Sequence, residues 1–159
     1  MTDEPTHLTR ATYERLQAEL EDLTTRGRVE IARAIEAARA LGDLSENGDY
    51  HAAKDQQGKM EARVRQIEAT LARAQLVDEA ATATADTVVA GTIVSIRYEG
   101  DDDVEHFLVG SIEERTEGVS VVSPGSPLGQ ALLGRSAGER VEYEAPGGVL
   151  RVEIVSVGS

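Results

Sequence analysis

Asp43 and Glu46 stand three residues apart in the run Leu41-Gly42-Asp43-Leu44-Ser45-Glu46-Asn47-Gly48. Two hard-oxygen donors at that spacing suit Mg²⁺, which takes one or two carboxylates and fills its other positions with water or phosphate oxygens. Around a tight turn they can share one ion but are too few to hold it tightly. A second partner would have to supply the remaining ligands. The same residues also have a plain structural reading. An N-cap Asp followed by an acid three residues on is close to a capping box, and acids in a first turn favour the helix dipole. That reading leaves two things unexplained: Ser45 could cap equally well, and a cap gives no reason for the length of the flanking helices.

Those helices are what must position the acids. Thr9 is the expected N-cap of a first helix running to about Leu41. Its apolar positions Leu16, Leu20, Leu23, Ile31, Ile35, Ala38 and Leu41 keep one face, with a break in rhythm near Gly27. In the second helix, Tyr50, Ala53, Gln57, Met60, Val64, Ile67, Leu71 and Ala74 alternate steps of three and four, a heptad seam. Gly42 suits the C′ position that ends the first helix. The connection is short, so the helices pair antiparallel. At roughly 30 residues each, the hairpin is about 45 Å long and is expected to project into solvent, with the two acids at its far end.

Residues 78–90 read as a linker, and beyond them the apolar period falls to two. Strands are expected at Gly91–Tyr98, His106–Ile112, Gly118–Val122, Glu139–Tyr143 and Val149–Val157. One short helix is expected at Pro127–Leu133, with Ser126 as N-cap and Pro127 at its first position. The fold class is α+β: a coiled-coil hairpin over 1–77 with its acidic tip at 42–48, then a small, mostly antiparallel sheet domain over 91–159.

Composition narrows the function. The chain has no Cys, which removes disulfides and thiolate metal sites. Asp3 and Glu4 stand where a signal peptide would carry a basic start, and no apolar run is long enough for a bilayer; a cytoplasmic protein without a membrane partner is expected. Aromatics are confined to Tyr13, Tyr50, Tyr98, Phe107 and Tyr143, too few for a base-stacking platform. The net charge of −13 divides unevenly, −3 over residues 1–77 and −10 over 78–159. Tight binding of free DNA is not expected from such a chain. Contact with nucleic acid through the helical half, inside a larger complex, is compatible with it.

The segment Gly42-Asp43-Leu44-Ser45-Glu46-Asn47-Gly48-Asp49-Tyr50-His51-Ala52-Ala53-Lys54 resembles the signature of the bacterial Gre transcript cleavage factors, the GreA type most closely. Leu16-x-x-Glu19-Leu20-x-x-Leu23, Ala74-Gln75-Leu76-Val77, Ser126-Pro127-Leu128 and Pro146-Gly147-Gly148 extend the likeness over nearly the whole chain. The resemblance implies a factor that binds RNA polymerase and inserts its coiled coil through the secondary channel. Its C-terminal, FKBP-like domain would dock outside, with Ser126, Pro127 and Leu128 as the candidate docking surface. Asp43 and Glu46 would help hold a Mg²⁺ of the polymerase and position water, so that backtracked RNA is hydrolysed. The factor would not itself be an enzyme. Asn47 and Tyr50 are the expected tip supports. Ser45 departs from the Lys or Arg usual in the family, Gly48 from Ala, and Asp49 from Glu.

Folding the hairpin about residue 45 brings residue i near 90 − i. Arg26, Arg28, Arg33, Lys59, Arg63 and Arg65 then form either a basic patch for extruded RNA or a solvated face paired with acids such as Glu30 and Glu61. Two other functions compete with cleavage. A Gre-like paralogue could occupy the channel and regulate or inhibit without cleaving; the presence of both tip acids disfavours it. A prolyl isomerase or chaperone is suggested by the FKBP-like half, and the scarcity of aromatics argues against its pocket.

Overall fold

The computed structural model describes residues 5–158. They divide into two compact units: a helical hairpin over residues 13–73, and a sheet unit that combines residues 5–12 with 74–158.

The helical hairpin opens in α1 (Arg10–Asp22), passes through a π-helical turn at Leu23–Gly27 and continues as α2 (Arg28–Arg39). The break in apolar rhythm near Gly27 is this wider turn, which takes in extra backbone before the α-helix resumes. Thr24 and Thr25 donate their hydroxyls back to the Leu20 and Glu21 carbonyls, which satisfies acceptors that the wider turn leaves open. The returning helix α3 spans Gly48–Ala72. Leu16, Ala38, Ala53, Val64 and Ile67 are buried, as the seam requires. Two seam assignments change. Leu41 lies beyond the end of α2 and is 69% exposed, and Ala74 has left α3 for a strand.

In the sheet unit, β1 (Thr6–Leu8) and β2 (Ala74–Leu76) pair in parallel. Three-residue strands carry no readable alternation, and the sequence did not announce this pair. A short α4 (Glu79–Ala83) capped by Asp78 occupies part of the expected linker. The main sheet contains β3 (Ile93–Tyr98), β4 (Val104–Val109), β5 (Ser120–Val122), β6 (Arg140–Ala145) and β7 (Gly148–Val157), in the order β5-β4-β3-β7-β6. All neighbours are antiparallel except β4 and β5. Helix α5 (Pro127–Leu132) follows Ser126, whose hydroxyl accepts from the Gly129 N–H as the N-cap reading requires.

Val94, Ile96, Val109, Val122, Leu128, Leu132, Val141, Val152 and Ile154 form the core of this unit. Strand alternation sends Arg97, Glu153, Arg140, Arg151 and Glu142 to the other face, where they pair with one another. Leu132 is fully buried, whereas Leu133 is 36% exposed because the helix ends between them.

Candidate functional site: the hairpin tip

Helix α2 stops where its last carbonyls need partners. The Leu41 N–H bonds to the Ala38 carbonyl at 3.1 Å and the Gly42 N–H to that of Arg39 at 3.0 Å. Gly42 then takes φ +80°, and Asp43 takes φ +39°, the one positive φ outside glycine among the described residues. An L-residue held there marks backbone that its surroundings over-determine. The Glu46 N–H closes the turn on the Asp43 carbonyl at 3.2 Å.

Asn47, not Asp43, caps the next helix. Its Oδ1 accepts from the Tyr50 N–H at 3.0 Å, while its Nδ2 donates to the Ala38 carbonyl at 2.6 Å and to the Gly42 carbonyl at 3.3 Å. One side chain therefore ties the start of α3 to the end of α2. Gly48 is the first residue of α3. The capping-box reading of Asp43 and Glu46 fails on this geometry, because both acids lie in the turn ahead of the cap. They line an open depression of about 430 Å³ with Leu41, Gly42, Asn47, Gly48 and Asp49. Among the described residues, Asp43 Oδ2 and both Glu46 carboxylate oxygens accept no hydrogen bond.

Tyr50 and His51 buttress the turn. The Arg39 guanidinium lies 5.9 Å from the centre of the Tyr50 ring, and the rings of Tyr50 and His51 meet edge-on at 5.7 Å. His51 Nε2 is 3.3 Å from the Ser45 carbonyl oxygen, to which it donates in the tautomer protonated there. The Ser45 hydroxyl donates to Asp43 Oδ1 at 3.0 Å.

The two carboxylates are of the ligand class that Mg²⁺ takes. Both carboxylates are exposed hard-oxygen donors with unengaged oxygens, and among the described residues no three acids or histidines converge into a metal site.

The cations of the shaft are mostly committed. Arg26 bridges Asp22 and Glu30 on its own side of the hairpin. Arg28 pairs with Glu61, Arg63 with Glu19, and Lys59 with Asp55. The Arg26 guanidinium holds the Asp22 carboxyl below its usual value, and Arg28 does the same to Glu61. Arg65 makes no close ion pair among the described residues, but its charge also lowers Glu61. Arg33 makes none. The Arg63–Glu19 pair departs from the simple 90 − i register, which would set Arg63 opposite residue 27. In the sheet unit, Ser126 is half-buried, Pro127 exposed and Leu128 a core residue. Leu128 is thereby removed from any docking surface, since its side chain is spent on packing.

A second depression, about 630 Å³, lies on the charged sheet face between Arg97, Arg140 and Arg151. Its walls are ion pairs that satisfy one another. Tyr98 and Tyr143 share a hydroxyl hydrogen bond of 2.9 Å; burial, and then this bond, push the Tyr98 pKa up. Sequence reasoning did not find Glu114, a buried side chain whose Oε1 accepts from the Thr9 and Thr12 hydroxyls and whose Oε2 accepts from the Thr9 N–H. Its partners are more than 100 residues away, so no local signal could have named it.

Two family descriptions match this arrangement of hairpin and sheet. "Transcription elongation factor, N-terminal" covers residues 6–76 and "Transcription elongation factor, GreA/GreB, C-term" covers residues 83–159. The chain belongs to the Gre family of transcription elongation factors. It is 45% identical to the transcription elongation factor GreA of Roseiflexus sp. (strain RS-1), over 99% of both chains. It is 47% identical to that of Streptomyces avermitilis, over 91% of this chain and 87% of the other. Among solved structures, the transcription factor Gfh1 is similar at 25% identity and TM-score 0.47, covering 98% of this chain and 99% of that one. The GreA/GreB factor of Nitrosomonas europaea is similar at 27% identity and TM-score 0.39, covering 97% and 99%. The relatives at 45% and 47% identity over most of the chain are named transcription elongation factor GreA, so the reading as a Gre-like paralogue is not favoured over a transcription elongation factor. No helix among the described residues is long and apolar enough to cross a membrane.

Proposed function

We propose that this Gre factor binds bacterial RNA polymerase, passes its helical hairpin into the secondary channel and stimulates the polymerase's own hydrolysis of backtracked RNA. The observation that carries the reading is the tip turn. A left-handed Asp43, a closed Asp43–Glu46 turn and the Asn47 tie together present two exposed carboxylates whose one hydrogen bond among the described residues is from the Ser45 hydroxyl to Asp43 Oδ1. Asp43 and Glu46 would hold a Mg²⁺ whose remaining ligands come from the polymerase and the RNA phosphate. The ion supplies charge stabilisation for phosphodiester hydrolysis and a more acidic bound water. The chain's own residues orient the carboxylates and keep them available, and the catalytic centre belongs to the polymerase.

RNA contact is assigned first to Arg33, whose charge is uncommitted, and then to Arg65. Arg26, Arg28, Lys59 and Arg63 would have to give up an acidic partner before meeting phosphate. Docking by the sheet unit would use Pro127 and the exposed edge of Ser126. A cytoplasmic location follows from a polymerase partner.

The test is RNA cleavage in a backtracked elongation complex of the cognate polymerase, at saturating factor. Wild type should cleave, and Asp43→Ala and Glu46→Ala should each fall by at least about 10²-fold, the size of effect seen when one group stabilising developing charge is removed. Binding to polymerase should persist in both. A wild-type chain that binds and does not cleave would overturn the proposal.

A further inference from the structure

We infer that Ser45 is a positioning residue for Asp43, and that its hydroxyl pre-sets the carboxylate for the divalent cation; this rests on the cleavage reading above. The Ser45 Oγ–H donates to Asp43 Oδ1 at 3.0 Å, two residues back along the turn. One oxygen of the carboxylate is thereby fixed. The other, Oδ2, accepts no hydrogen bond among the described residues, and Asp43 is one of the residues that line the tip depression. Ser45 is itself anchored, because its carbonyl lies 3.3 Å from His51 Nε2 on the first turn of α3. The path runs from the His51 ring on α3 to the Ser45 carbonyl, and from the Ser45 hydroxyl to Asp43.

An exposed Asp side chain samples several χ1 rotamers, and binding an ion must select one of them. A hydrogen bond that makes the selection beforehand lowers the ordering cost at the moment of binding. The reach matters. A hydroxyl on a one-carbon stem can bond to the carboxylate two residues earlier in a closed turn.

The test uses the full chain and two readouts. In the free chain, three-bond NMR couplings from the backbone to Asp43 Cγ report its χ1 distribution. In the backtracked complex at saturating factor, the Mg²⁺ concentration giving half-maximal cleavage reports how readily the ion is taken. Ser45→Ala should average the Asp43 couplings and raise the Mg²⁺ half-saturation about fivefold, equivalent to ~1 kcal/mol for one hydrogen bond. The factor concentration needed for half-saturation should stay unchanged. Ser45→Thr, which keeps the hydroxyl, should remain within about twofold of wild type in the same measurements. The inference falls if Ser45→Ala leaves both the couplings and the Mg²⁺ requirement at wild-type values. It falls too if only polymerase affinity changes, which would mark a structural role. Asp43→Ala run alongside separates the two levels. If it cleaves like wild type, the tip reading itself is lost, while the free-chain couplings still decide whether Ser45 orients Asp43.

Discussion

Asn47 shows how much one side chain does at the tip. Its amide faces both ways, accepting from α3 and donating to the end of α2. Asn47→Ala removes an N-cap, which costs about 1 kcal/mol, and frees the Ala38 carbonyl, which costs about as much again. Urea denaturation of the full chain should therefore show a loss of ~2 kcal/mol. Asn47→Asp is the sharper variant. It keeps the cap acceptor, yet sets a carboxylate oxygen against the Ala38 carbonyl where an amide had donated. It should lose stability although the cap survives, and a variant as stable as wild type would contradict the tie. The sequence named Asn47 and Tyr50 as supports of the tip. It could not name the direction of the cap, because Asp43, Ser45 and Asn47 are all acceptable N-cap residues and only backbone geometry chooses among them.

At the scale of the elements, heptad spacing located the helices to within a few residues, because a buried seam leaves a repeating trace. The π turn was legible only as a stumble near Gly27, since spacing records that a residue is extra and not how the backbone absorbs it. The strands beyond residue 90 were legible by alternation, whereas β1 and β2 were too short to alternate. Basic residues were visible, but their commitments were not: whether an arginine is available to RNA depends on which acid faces it across the hairpin. Those commitments have a pH signature. Asp22 and Glu61 are held below their ordinary carboxyl values by Arg26 and Arg28 respectively. A depressed folded pKa contributes stability that is complete above the ordinary carboxyl range and is lost as pH falls through the folded value. Helix melting followed by circular dichroism should therefore shift to lower temperature between neutral pH and roughly pH 3. Arg28→Gln should flatten part of that shift, because the hydrogen bond that does most to lower the Glu61 pKa is then gone. An unchanged pH profile in Arg28→Gln would mean the Arg28–Glu61 pair contributes nothing, a common outcome for exposed pairs.

On the scale of the whole molecule, the sheet unit is discontinuous in sequence: residues 5–12 and 74–158 belong together, with the hairpin inserted between them. Placing a boundary at 77 by composition separates segments that the fold joins. Glu114 ties the two segments together through its side chain. It is 6% exposed and accepts the Thr9 N–H, the Thr9 hydroxyl and the Thr12 hydroxyl, each at 2.9 Å. A buried carboxylate is tolerated only when its oxygens are satisfied in this way. Glu114→Ala removes the acceptor of three hydrogen bonds, one buried and two part-buried, and should cost about 2–4 kcal/mol in urea denaturation. Glu114→Gln is the discriminating variant. If its carbonyl oxygen stays with the two hydroxyls, its amide faces the Thr9 N–H, donor against donor, so it should recover only part of the loss. The same logic applies to a fragment starting at residue 78, which keeps Glu114 and lacks all its donors. Such a fragment should be less stable than a chain in which residues 1–12 are rejoined to 74–159 through a short linker. Equal stability of the two would show that the N-terminal strand is an ornament of the sheet unit rather than part of it.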